Sequence, residues 1–78
     1  MKLKEAVPGR EYQFQTMTLP VETERRLEVL GLIGDCRVQV LRNKKNGAMI
    51  IKIRGTRFAL GENIVKNIEV KEVGAWRN

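Results

Sequence analysis

Apolar residues recur along this chain with two different periods. Pro8-Gly9 marks a turn after a short lead-in, Leu3 to Pro8. From Glu11 to Met17 (EYQFQTM) the residues favour a strand, with Tyr12 and Phe14 on one face. From Pro20 to Gly31 the spacing becomes helical. Leu27 and Leu30 are i,i+3 and point together, with Val29 at the edge of that face. Pro20 suits the first turn, where its missing N–H is harmless, and Glu22 and Glu24 sit at the positive end of the helix dipole. Glu22 and Arg26 are i,i+4 in the favourable order, which predicts an ion pair. Gly31 ends the helix, and Leu32 can fold back onto its last turn.

After the Gly34-Asp35 turn the period becomes two. Val38 and Val40 alternate with Arg37 and Gln39 in the strand Arg37 to Arg42. Asn43 to Gly47 reads as a hairpin loop. Met49, Ile51 and Ile53 share one face of the strand Met49 to Arg54, and Lys52 and Arg54 share the other with Ile50. Gly55-Thr56 predicts a second tight turn, followed by Arg57 to Leu60 with Phe58 and Leu60 inward. Glu62 to Lys66 is too short for more than a helical turn. Ile68 and Val70 form the last strand, with Lys71 to Val73 trailing.

The sum is a mainly β fold. Five short strands, one α-helix between the first and second and a helical turn before the last have the layout of a small SH3-like, partly open barrel. One domain, residues 1–73, is expected, with a tail at 74–78 that includes Trp76. Arg37, Lys52 and Arg54 are expected on one outward side of the meander.

Composition narrows the chemistry. The chain has 78 residues and a formal net charge of +6, with no His and one Cys, Cys36. The commonest general base and neutral metal ligand are therefore missing. One Cys forms no intrachain disulfide and no zinc ribbon, which points to a cytoplasmic protein. No apolar run is long enough for a membrane span, and Met1 to Arg10 lacks a signal-peptide core. No nucleophile–base pair is visible, so no catalytic residue, metal ligand or cofactor is expected. Cys36 shares strand parity with Val38 and Val40, which predicts a buried, inert thiol.

The positive charge is concentrated. Cys36 to Gly61 holds seven basic residues (Arg37, Arg42, Lys44, Lys45, Lys52, Arg54 and Arg57) and no acidic one; the rest of the chain is slightly acidic. Such a stretch is either a solvated sheet face that guards strand edges, or a patch for an anionic partner.

The segment Arg25-Arg26-Leu27-Glu28-Val29-Leu30-Gly31-Leu32-Ile33 resembles the RRL-x-x-LGL signature of the FeoA family, small cytosolic partners of the FeoB ferrous iron transporter. Val38-Gln39-Val40-Leu41, Ile53-Arg54-Gly55-x-x-Phe58-Ala59-Leu60 and Ile68-Glu69-Val70 are similar to its later strands, and Pro8-Gly9-Arg10-Glu11 to its entry. The resemblance runs from about Leu3 to Val70, in order. Gly34-Asp35, Gly61 and Val65 depart from the family's usual residues.

The resemblance implies a cytosolic accessory of ferrous iron transport that contacts an FeoB-type membrane transporter bearing a GTPase domain. It would come near the membrane only through that partner, and binding would fall to Arg25, Arg26, Leu32, Arg37, Lys52, Arg54 and Arg57. Core packing is the default for Leu32 and Ile33. Two other readings stay open. A basic barrel could bind nucleic acid, but such barrels interleave exposed aromatics with basic residues, and here only Phe58 lies in the basic stretch; no nucleic-acid partner is expected. The chain could instead be a free-standing regulatory module related to the SH3-like domain of iron-dependent repressors. Packing or disorder is expected of Trp76, rather than a ligand role.

Overall fold

The period-two segments pair into one antiparallel sheet. The computed structural model describes residues 1–75. Strands β1 (Arg10–Met17), β2 (Arg37–Asn43), β3 (Met49–Ile53), β4 (Thr56–Leu60) and β5 (Ile68–Ala75) lie in the order β4-β3-β2-β1-β5. Helix α1 (Val21–Leu30) joins β1 to β2, and the short α2 (Glu62–Val65) precedes β5. Among the described residues no ladder joins β5 to β4, so the barrel is open between them. This is the mainly β, five-stranded fold with one inserted helix that the alternation predicts.

The inward faces are those read from parity. Tyr12, Phe14, Val38, Val40, Met49, Ile51, Ile53, Leu60, Ile68 and Val70 are all buried, while Phe58 packs partly buried at the edge. No polar or charged residue is buried among the described residues, so the side-chain contribution of the core is apolar burial, at about 25 cal/mol per Å² removed from water. Tyr12 keeps its hydroxyl satisfied by accepting the Val7 N–H at 2.8 Å. One core element escaped the pattern. Leu3 opens a 3-10 turn, Leu3–Glu5, that packs against α2 and β5; Leu3 is 0% exposed and Ala6 1%. A stretch with single apolar residues between charges shows no period, so its place in the core is visible only once the fold closes.

Helix α1 ends as its sequence predicts. Gly31 has φ 114°, its N–H donates to the Glu28 carbonyl, and the Leu32 N–H reaches the Leu27 carbonyl at 2.9 Å. This pair of bonds is the Schellman motif, and it places Leu32 against Leu27. At the other end Glu24 does more than answer the dipole: its carboxylate accepts the Leu19 N–H at 3.2 Å. The expected Glu22–Arg26 ion pair does not form; among the described residues Arg26 has no salt bridge. Both side chains stand in water, where such a pair is worth a few tenths of a kcal/mol.

The β3–β4 turn is shifted by one residue from Gly55-Thr56. Ile53 pairs with Thr56, so Arg54 and Gly55 are the two central residues, with φ of 52° and 82°. Positive φ at both is the requirement of a type I′ hairpin, whose twist matches that of the strands. Arg54 is the one described non-Gly residue with positive φ. The last strand continues through Gly74 and Ala75, which pair with Glu11 and Arg10, two residues into the segment set apart as a tail. Trp76 lies outside the described residues.

Two outcomes test this packing. A methyl group on Gly31 would lie 3.2 Å from Ile53 Cγ2 in a backbone conformation that L residues avoid. Gly31→Ala is therefore expected to lower the stability measured by urea unfolding by about 1–3 kcal/mol. Glu69 is held below the usual carboxylate range, first by its hydrogen bond to Lys2, 2.8 Å away, and then by the amino terminus, 3.3 Å away. Its stabilising share is present above the ordinary carboxylate pKa and is lost as pH falls through the lowered value. NMR titration should show Glu69 with a depressed midpoint that returns toward normal in Lys2→Ala.

Candidate functional site

The basic residues singled out in the sequence divide between two places. Arg25 and Arg26 lie on the outer side of α1, where with Val29 and Leu30 they line a shallow groove, open to solvent, on one face of the helix. Helical geometry puts them there: at 100° per residue, Val29 lies over Arg25 and Leu30 over Arg26. Val29 is 86% exposed, Leu30 44% and the nearby Ile33 51%. Neither arginine forms an ion pair among the described residues.

The expected burial of this helix needs correction on two counts. Leu30 does not share the burial of Leu27; it spans the rim, touching the apolar mouth formed with Leu27, Leu32, Ile51 and Ile53 while remaining open to the groove. Val29 is not at the edge of the buried face but lies 200° round from Leu27, on the solvent side. That angle was available from spacing alone. Leu32, grouped with the partner-binding residues, is 1% exposed and belongs to the core, because the Schellman turn folds it inward.

The second place is the outward face of the sheet. Lys52 on β3 and Arg57 on β4 are directly opposite each other, and Gln39 on β2 is opposite Lys52 on the other side. The row continues to Glu11 on β1, opposite Gln39. Glu11 takes up Arg37, whose Nη1 is 3.3 Å from Oε1, and Gln39, whose Nε2 donates to Oε2 at 3.3 Å. Arg37 is therefore committed within the fold, through a strand pairing that local sequence does not reveal. Arg54 leaves this face. Its place in the type I′ turn puts its Cδ beside the C-terminal end of α1, within 3.8 Å of where a Gly31 side chain would begin. Of the expected trio, Arg37 and Lys52 share the outward face of the sheet by strand parity, and only Arg54 leaves it.

Cys36 sits between these regions, half-buried against the core. Burial pushes its thiol pKa up; a backbone hydrogen bond with Ile33 and the charge of Arg54 pull the other way, and Asp35 adds to the rise. Among the described residues no three His, Cys, Asp or Glu side chains converge on a site that could hold a metal ion. No helix of the described residues is long and apolar enough to cross a membrane. Among the described residues no exposed aromatic ring lies beside the basic residues: Tyr12 and Phe14 are buried and Phe58 is partly so.

Residues 1–72 match the model of the FeoA domain family. Solved structures are similar over nearly the whole chain. A crystal structure of an iron uptake regulatory protein (FeoA) is 26% identical, with a TM-score of 0.84 over 94% of this chain and 97% of that one. The solution structure of the FeoA protein from Chlorobium tepidum is 26% identical with a TM-score of 0.87, over 94% of this chain and 70% of the other. A manganese-dependent transcriptional repressor shares the fold at 19% identity and a TM-score of 0.84; the match spans 94% of this chain and 41% of the repressor. A comparison with curated proteins gives no match.

The surroundings of Cys36 set its reactivity. Thiolate is the nucleophile, so a raised pKa lowers the reactive fraction near neutral pH. Alkylation by iodoacetamide at pH 8 is expected to be several-fold slower in the folded protein than in urea. Equal rates would show that the folded environment does not suppress the thiolate.

Proposed function

This chain belongs to the FeoA family, and from that premise we propose that it serves ferrous iron transport as an accessory that works by protein contact, with an FeoB-type membrane transporter as its partner. The observation that carries this reading is the surface of α1. An apolar pair, Val29 and Leu30, stands open to water beside two arginines without ion pairs. An exposed apolar patch rimmed by polar residues marks an interaction surface, and arginine is enriched at such surfaces. The residues have little else to offer iron. They supply no imidazole, and the single thiol has its pKa raised by burial. Iron is then the transporter's cargo, and this protein's share is to bind the transporter on its cytoplasmic side and bias one of its conformations.

A metal-responsive regulatory module is the second reading, favoured by the fold shared with the manganese-dependent repressor. Such a module would titrate with ferrous or manganous ion at a defined stoichiometry.

Affinity purification of the tagged chain from detergent-solubilised membranes tests the first reading. The expected result is co-purification of a membrane protein with a GTPase domain. No association in any nucleotide state, together with normal ferrous uptake in a deletion strain, would overturn it.

A further inference from the structure

Most of α1 is explained by folding. Leu27 enters the core, Gly31 and Leu32 close the helix, and Glu24 ties down its start. The outer face of its second half is not explained this way. Val29 is 86% exposed and meets nothing that its own fold needs. A β-branched residue on a solvated helix face also lowers helix propensity. Arg25 and Arg26 stand beside it without ion pairs, and no carboxylate lines the groove.

We propose that this groove docks an acidic segment of a protein partner, an apolar side chain seated on Val29 and Leu30 and flanking carboxylates paired with Arg25 and Arg26. The proposal rests on the protein-contact reading above and adds the place and chemistry of the contact. Charge complementarity selects the occupant. A second copy of this chain is a poorer match, because a two-fold axis through the groove would gather four guanidinium groups and leave only Glu22, one turn away, to answer them. An anionic membrane is disfavoured because the charge is divided. Ile51 and Ile53 line the mouth covered by Leu27 and Leu32, so their strand neighbour Lys52 and its opposite Arg57 point away from α1. A planar surface touching the groove would leave that pair unused. Arginine suits the task because its planar fork meets a carboxylate through two parallel hydrogen bonds.

The test uses the full chain and the detergent-solubilised transporter, with affinity read by biolayer interferometry at two salt concentrations. Variants are Val29→Glu, the double Arg25→Glu/Arg26→Glu, the double Arg25→Lys/Arg26→Lys, and Arg57→Glu on the sheet face. All four positions are exposed, and circular dichroism melts confirm that each variant folds. Val29→Glu and the double glutamate variant are expected to lose about tenfold or more in affinity. The lysine double should retain part of it, and Arg57→Glu should stay within about twofold, as surface changes outside an interface do. Wild-type affinity should fall with salt. Unchanged affinity in the α1 variants, with wild type still binding, overturns this surface and leaves the partner reading standing. So does loss confined to Arg57→Glu. A wild-type protein that does not bind the transporter overturns the partner reading and this proposal with it. Two further results assign the groove to another occupant and overturn the proposal: dimerisation in analytical ultracentrifugation that Val29→Glu abolishes, or co-sedimentation with phosphatidylglycerol vesicles that Val29→Glu abolishes.

Discussion

The pairing of β1 with β5 is the constraint on which the rest of this structure depends. The two strands come from opposite ends of the chain and run together from Arg10 opposite Ala75 to Met17 opposite Ile68, with register shifts after Glu11 and after Phe14. Strands β2 to β4 are a local meander, but alone they form a three-stranded sheet with Val38, Val40, Ile51 and Ile53 bare on one face. Only when β1 lies between β2 and β5 do Ile68 and Val70 come across to cover that face. The bulges matter here, because each adds local twist and bends the strand that must close the barrel. The lead-in follows from the same pairing: Lys2 bridges Glu69, and Leu3 drops into the space beside α2 and β5.

Polar groups sit where they do not interfere with this closure. The ion pairs join exposed or half-exposed side chains across strands: Arg10 to Glu72, Arg37 to Glu11, and Lys2 and the amino terminus to Glu69. Each is worth little in water. Their effect is on what remains. Glu11, Glu69 and Glu72 are taken up along β1 and β5, while the exposed Glu22 and Glu28 of α1 form no salt bridge with its arginines among the described residues. The same sheet that arranges the core therefore also decides which cations are committed and which face outward.

Helix α1 serves both purposes through one turn. The Schellman motif at Gly31 folds Leu32 inward and sends Ile33 out. It also brings the helix end against the β3–β4 hairpin, where Ile53 and Arg54 approach Gly31. The helix is thus anchored by Leu27 and Leu32 on one side and presents Arg25, Arg26 and Val29 on the other. A small barrel with one inserted helix has few places to build a contact surface without disturbing its core, and this is one.

Local patterns determined a large share of the protein. The strand faces, the end of α1 and the inward turn of Leu32 after it follow from side-chain alternation and from glycine's access to positive φ, which need no distant partner. The FeoA-like order of motifs was legible for the same reason: it is a sequence of such local signals. Long-range pairing decided the remainder. The burial of Leu3 required β5, the capture of Arg37 required β1 beside β2, and the placement of Arg54 required Ile53 to pair with Thr56 rather than one residue later. Of the residues grouped from sequence as one contact set, the fold buried Leu32, tied down Arg37 and separated the sheet pair Lys52 and Arg57 from the helix pair Arg25 and Arg26. Spacing along a chain tells which side chains share a face; only the register of distant strands tells which faces meet each other and which are left to water.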